Sequence, residues 1–258
     1  MRKITSEANF LWKILIKIML TPLIFILFLF GKKSSKELFQ PILLLFEFIT
    51  EAKLTISLIT INIIIYFTAF LFQKSLFLQY PSDLFSNRVY TIITAGFMHA
   101  NILHLINNMV ALFIFGRVVE RELGYKKTLA IYFLSLILSG IFFSIFNMKN
   151  NIPGLGASGA IMGLIATAIL LKPFYITFEL IIPLPIMIIG WIMLYTDITG
   201  ILYSSNDGIG HIAHIAGFLS ISLIMFVLEK KDREKIKKGF FINVVSAIIF
   251  VLAYLFLI

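Results

Sequence analysis

Long apolar stretches separated by short polar segments occupy nearly the whole chain. Seven read as spans, at about 54–73, 101–116, 128–147, 157–171, 175–193, 209–228 and 240–258. Each approximates the ~20 residues that a ~30 Å hydrocarbon core requires. In lipid such segments must be helical, because no water is present to satisfy an open backbone. An eighth run, Ile14 to Phe30, carries Lys17 and Pro22 and either spans or lies in the interface. Leu38 to Ile49 is too short to span and reads as interfacial or cytoplasmic. The pattern predicts an all-α polytopic membrane protein.

Composition agrees: the 258 residues are 60% hydrophobic with a mean hydropathy of +0.99, where soluble domains run at roughly 45–50% apolar. The net charge of +9 then reads as membrane topology, with no nucleic-acid partner. With residues 1–53, 117–127, Lys172 and 229–238 on the cytoplasmic side, 19 of the 22 Lys and Arg lie there, leaving Lys74, Arg88 and Lys149 opposite. That asymmetry is the positive-inside signal, and a spanning 14–30 segment would lower the contrast without reversing it. Residues 74–98 and 194–208 become outer loops, the second holding Asp197, Ser204, Ser205, Asn206, Asp207 and Gly208, while 229–238 (EKKDREKIKK) reads as a solvated cytoplasmic loop. The absence of cysteine excludes disulfides and thiolate metal sites. The N-terminus shows no signal-peptide pattern, so the spans themselves are expected to target the chain.

Candidate chemistry sits at the outer ends of three spans. All four histidines fall in two pairs, His99 with His104 and His211 with His214, and polar groups at such depth raise a functional hypothesis by default. Asn108 follows His104 by one helical turn and shares its face; an interhelical polar contact explains that pair equally well. The stretch GLGASGAIMG, Gly154 to Gly163, starts a helix after a Pro-Gly loop. Gly159 and Gly163 have the spacing of a close helix contact, which explains the glycines without requiring a serine. Ser158 at that helix N-terminus is open to approach, beside backbone N–H groups that can serve a developing oxyanion. In GHIAHIAG, Gly210 to Gly217, small residues flank His214, whose neutral imidazole can accept a hydroxyl proton. At ~1.5 Å per residue, Ser158, His214 and His104 lie about 21, 22 and 25 Å from the charges that end their helices. All three therefore share one height below the outer boundary.

The segments FMHANILHLINNMVALFIFGRVVERELG (Phe97–Gly124), GASGAIMG (Gly156–Gly163) and AHIAG (Ala213–Gly217) resemble, in order and spacing, the rhomboid family of intramembrane serine proteases. The resemblance covers about residues 54–228 and implies a six-helix rhomboid core. Around it stand a 1–53 N-terminal basic and hydrophobic segment and a 229–258 region with a basic loop and an added C-terminal transmembrane helix. It implies Ser158 as nucleophile and His214 as general base, a dyad without an acidic third member. His104 and Asn108, with the Ser158 N–H, would form the oxyanion hole. Gly156 and Gly159 would flank the nucleophile, His99, His211 and Gly217 would support the site, and Glu120 and Gly124 would close the second core helix. The family cleaves transmembrane segments of substrate proteins without a cofactor or metal, and the resemblance implies a plasma membrane location with the site near the outer face. Residues 175–208 would supply the fifth helix and the cap loop that gate substrate access. Three positions depart from the pattern. Tyr90-Thr91 replace a Trp-Arg pair, Met162 replaces an aromatic, and Ile221 replaces the second glycine after His214. They imply a differently built first outer loop and looser packing near the dyad. Two other readings stand beside this one: a catalytically inactive rhomboid-like protein that binds membrane clients, and a membrane protein whose histidines ligate a metal or haem.

Overall fold

The computed structural model describes residues 7–149, 152–179, 182–203 and 209–257. Nine helices and one hairpin carry the architecture of this described part. They are α1 (Glu7–Leu29), α2 (Gln40–Thr50), α3 (Lys53–Thr68), α4 (Ile102–Leu123), α5 (Tyr125–Asn147), α6 (Ser158–Leu171), the antiparallel strands β1 (Ile176–Glu179) and β2 (Ile182–Pro185), α7 (Ile186–Leu202), α8 (His211–Val227) and α9 (Lys230–Leu257). The fold is an all-α polytopic bundle. Trp12–Leu29, α4, α5 and Lys230–Ala253 are each long and apolar enough to cross a membrane.

α6 is the axis of the bundle. Every residue from Gly159 to Leu171 is buried, as expected for a helix that is apolar all round. It packs against α5, α7, α8 and α9. Small residues make this possible: a Cβ on Gly159 or Gly163 would meet the Ser139 or Ser135 side chain of α5, and one on Gly217 of α8 would meet the Gly159 carbonyl oxygen. The Ser220 hydroxyl, 2.6 Å from that of Ser135, ties α8 to α5 beside this contact. Ile221 in place of a glycine therefore leaves the α6–α8 approach close, because Gly217 makes it. Gly217→Val is expected to force the two helices apart, costing about 1–3 kcal/mol. A lowered thermal midpoint in detergent would report it; an unchanged midpoint would refute backbone contact as the determinant.

Four expectations need correction. The 175–193 stretch is no uninterrupted helix. Pro183 and Pro185, two positions apart, each remove a helical N–H and clash with the preceding turn; the chain forms the β1–β2 hairpin there and α7 starts only at Ile186. The shift carries Asp197 out of the expected loop and into α7, where it is buried; Ser204 to Gly208 lie outside the described residues. The charged run 229–238 is no loop: its Lys and Glu favour helix, and it forms the first turns of α9. There Asp232 and Glu229 accept from Lys127, at 2.6 and 2.9 Å, while Ile236 enters the core. α4 runs on through a π turn at Leu112–Gly116 to Leu123. Arg117, placed by its charge in a cytoplasmic loop, is buried instead. Its guanidinium lies 3.6 Å from the Phe48 ring centroid and 4.7 Å from that of Phe113, with Glu51 at 3.5 Å. The N-terminal segment is thereby docked on the core through α2, and Phe10 of α1 stacks on Phe48 at 4.2 Å. Glu120 caps α3, accepting from the Leu54 and Thr55 N–H groups at 2.9 and 2.8 Å, and Gly124 takes the positive φ of +81° that ends α4.

Candidate active site

At ~1.5 Å per residue, the 14 residues of α6 cover about 21 Å, less than a ~30 Å hydrocarbon core. Its first residue, Ser158, lines the wall of a cavity of ≈ 470 Å³. The cavity is lined by His104, Ser158, Gly159, Gly200, His211 and His214 among others. Contact between Gly217 and the Gly159 carbonyl holds the Ser158 and His214 segments side by side.

The approach to Ser158 is pinned from both sides. Gln79 and Gly154 pair through both backbone N–H groups, at 3.2 and 2.8 Å, and Gln79 Nε2 donates to the Gly140 carbonyl and to Ser144 Oγ at 2.7 and 2.9 Å. Gly156 N donates to the Ala95 carbonyl at 2.9 Å. Gly156 itself adopts φ +118°, a region open to glycine. A methyl group there would also sit 2.9 Å from His104 Cε1 and Nε2 and 3.8 Å from Ser158 Oγ. The glycine thus leaves room for the His104 edge and the Ser158 hydroxyl to face one small volume. The first outer loop that carries Gln79 is organised by Arg88. Its Nε donates to Asp83 at 3.0 Å and its Nη2 to the Ser75 carbonyl at 2.7 Å, while Thr91 donates to Asp83 at 3.1 Å. Arg88 is thus the basic residue of this loop, two positions before Tyr90-Thr91.

His104 is oriented as a donor. Asn101 caps α4 by accepting from the His104 N–H at 2.8 Å, and the Ala100 N–H donates to His104 Nδ1 in a long contact of 3.4 Å. With Nδ1 accepting, the neutral ring carries its proton on Nε2, the atom beside Gly156. His99 is buried behind it, the ring centroids 5.0 Å apart. Asn108 is not brought to the cavity lining; it is buried, and its Nδ2 donates to the His104 carbonyl at 2.8 Å.

On the opposite wall, two imidazoles converge on a carboxylate. His214 Nδ1 and His211 Nδ1 lie 2.9 and 2.8 Å from the same oxygen, Asp197 Oδ1. By its place in the chain Asp197 reads as a loop residue, and a dyad has no place for it. The signal was present: Asp197 is the one residue of α7 that is charged at neutral pH, and a lone charge in an apolar helix demands a partner.

The chain is similar to known proteins. The family model of the Rhomboid domain matches residues 86–231, more than half of the chain. The chain is 29% identical over 165 residues to RHOMBOID-like protein 12, mitochondrial, of Arabidopsis thaliana, covering 57% of this chain and 48% of that one. It is 30% identical over 191 residues to Rhomboid-like protein 11, chloroplastic, of the same plant, covering 67% and 64%. It is 31% identical over 140 residues to Rhomboid protease AarA of Providencia stuartii, covering 45% and 50%. The chain thus spans about half to two thirds of the length of these relatives.

Proposed function

The chain belongs to the rhomboid family, and from that premise we propose that it is an intramembrane serine endopeptidase that cuts transmembrane segments of other proteins. The observation that carries the proposal is the single cavity lined by Ser158 at a helix N-terminus, His214 and His104. A substrate helix unwinds locally and presents its scissile carbonyl to Ser158. His214 Nε2 takes the hydroxyl proton as the Ser158 oxygen bonds to the carbonyl carbon. The oxyanion that forms is met by His104 Nε2–H and the Ser158 N–H, donors aimed where charge develops. The tetrahedral adduct collapses, His214 returns the proton to the leaving amine, and an acyl-enzyme remains. Water, deprotonated by His214, then releases the acid and restores Ser158. None of these steps calls on a cofactor. The multi-pass chain works in the bilayer, in this proposal with residues 54–228 as the catalytic core and the cavity facing the side opposite its basic segments. Two of the relatives named above carry organellar names and one comes from a bacterium; the proposal places the chain in the cell membrane, and the positive-inside asymmetry sets which way its cavity faces.

The test is cleavage of a single-span model substrate, bearing small and helix-breaking residues, by the purified protein in detergent, with the cut located by mass spectrometry. The expected result is a cut within or beside the substrate's apolar span and labelling of Ser158 by a fluorophosphonate. No cleavage across several substrates together with no labelling would reject the protease and leave the inactive client-binding reading.

A further inference from the structure

Asp197 has a place in the chemistry. It sits on α7, with little of it exposed (4%). A buried carboxylate is costly unless it is fully hydrogen-bonded, and here its Oδ1 has the Nδ1 atoms of His211 and His214, both on α8, at 2.8 and 2.9 Å. An ionised carboxylate accepts and cannot donate. Each imidazole that bonds to it must therefore carry its proton on Nδ1, which leaves the lone pair on Nε2. For His214 that is the state a general base requires. The second imidazole has a function in this arrangement: by donating to the same oxygen, His211 holds the carboxylate in register with His214. Space for the His211 ring comes from Gly200, one helical turn after Thr196 on α7; a Cβ at Gly200 would overlap the ring at Nε2, Cε1 and Cδ2.

We propose that Asp197 is the positioning residue of the catalytic machinery, fixing the tautomer and orientation of His214 and opposing the positive charge that the ring acquires when it takes the Ser158 proton. The inference rests on the protease reading for its kinetic meaning and on the shared carboxylate for its geometry. Asp197 takes no proton in the cycle: the proton moves from Ser158 Oγ to His214 Nε2 and on to the leaving amine, while the Asp197–His214 hydrogen bond persists. Among the described residues, the cavity that His214 lines is also lined by His211 on its own helix, Ser158 on α6 and His104 on α4, with Ser139, Gln79 and Asn147 further polar members of the lining.

Asp197→Asn keeps the shape but offers an amide that can donate, so His214 is no longer confined to the Nδ1–H form. The expected result is a kcat reduced by about 10²–10³, below the ~10⁴ lost where such a carboxylate is the sole orienting group, with KM little changed and a slower fluorophosphonate reaction at Ser158. Solid-state NMR of ¹⁵N-histidine-labelled protein in bilayers supplies a readout that a merely structural role would not move. The wild type is expected to show the Nδ1–H tautomer at both His211 and His214, and Asp197→Asn a mixture at His214. If Asp197→Asn does not fold, as judged by its thermal midpoint, Gly200→Ala displaces His211 from outside and is expected to lower kcat about tenfold or more. A folded Asp197→Asn with wild-type kcat, or a wild type whose His214 carries its proton on Nε2, would overturn the proposal. If the wild type neither cleaves nor labels, the protease reading fails, and the tautomer spectrum alone decides whether Asp197 positions His214.

Discussion

Alanine at Ser158 is expected to reduce cleavage to background, and alanine at His214 to do nearly the same. Ser158 is half-buried on the cavity wall at the first position of α6, where alanine is compatible with helix, so the loss is one of chemistry and the fold remains. A hydroxyl whose proton has no acceptor is a weak nucleophile, and an imidazole with no hydroxyl to deprotonate has nothing to activate. Groups acting as one unit are grossly non-additive. The Ser158→Ala/His214→Ala double variant should therefore be no slower than either single variant, each having lost at least about 10⁴ in kcat. Single-turnover cleavage of the model substrate measures all three. Most of the activity surviving in His214→Ala would remove it as the base.

His104→Ala is expected to lower kcat by about 10²–10³, the usual cost of one oxyanion donor, with KM little changed. Only the transition state places charge at the point between Gly156, Ser158 Oγ and His104 Nε2, so the interaction is made there and not with the ground state. Asn108→Ala is expected to cost less than about tenfold, because the bond it loses is an ordinary one to the His104 carbonyl. Measuring kcat and KM for both variants sets the order. A larger loss at Asn108 would mean that its amide turns into the cavity when substrate binds and that His104 is secondary.

The residues differ in how far they could be read from the chain alone. The spans announce themselves by length and hydropathy, since a helix in lipid has few ways to satisfy its backbone. Ser158, His104 and His214 stand out as polar groups at similar depth on helices running the same way, a comparison needing only the rise per residue. Arg117 misleads because its charge reads as a loop residue. Its burial depends on Phe48 and Glu51, more than sixty positions earlier, and no local pattern reports such a partner. The run 229–238 misleads in the same way, its Asp232 pairing with Lys127 across the bundle.

By itself, the sequence determined that this is a multi-spanning helical protein, and that a serine and two histidine pairs lie near one end of its spans, because apolar length and helical rise are local quantities. Only the tertiary structure decided that Gly217 meets Gly159 and that Asp197 meets both histidines of α8. The first depends on how closely two backbones pack. The second depends on Pro183 and Pro185 delaying the start of α7, which moves the carboxylate from an expected loop to the buried face opposite His214.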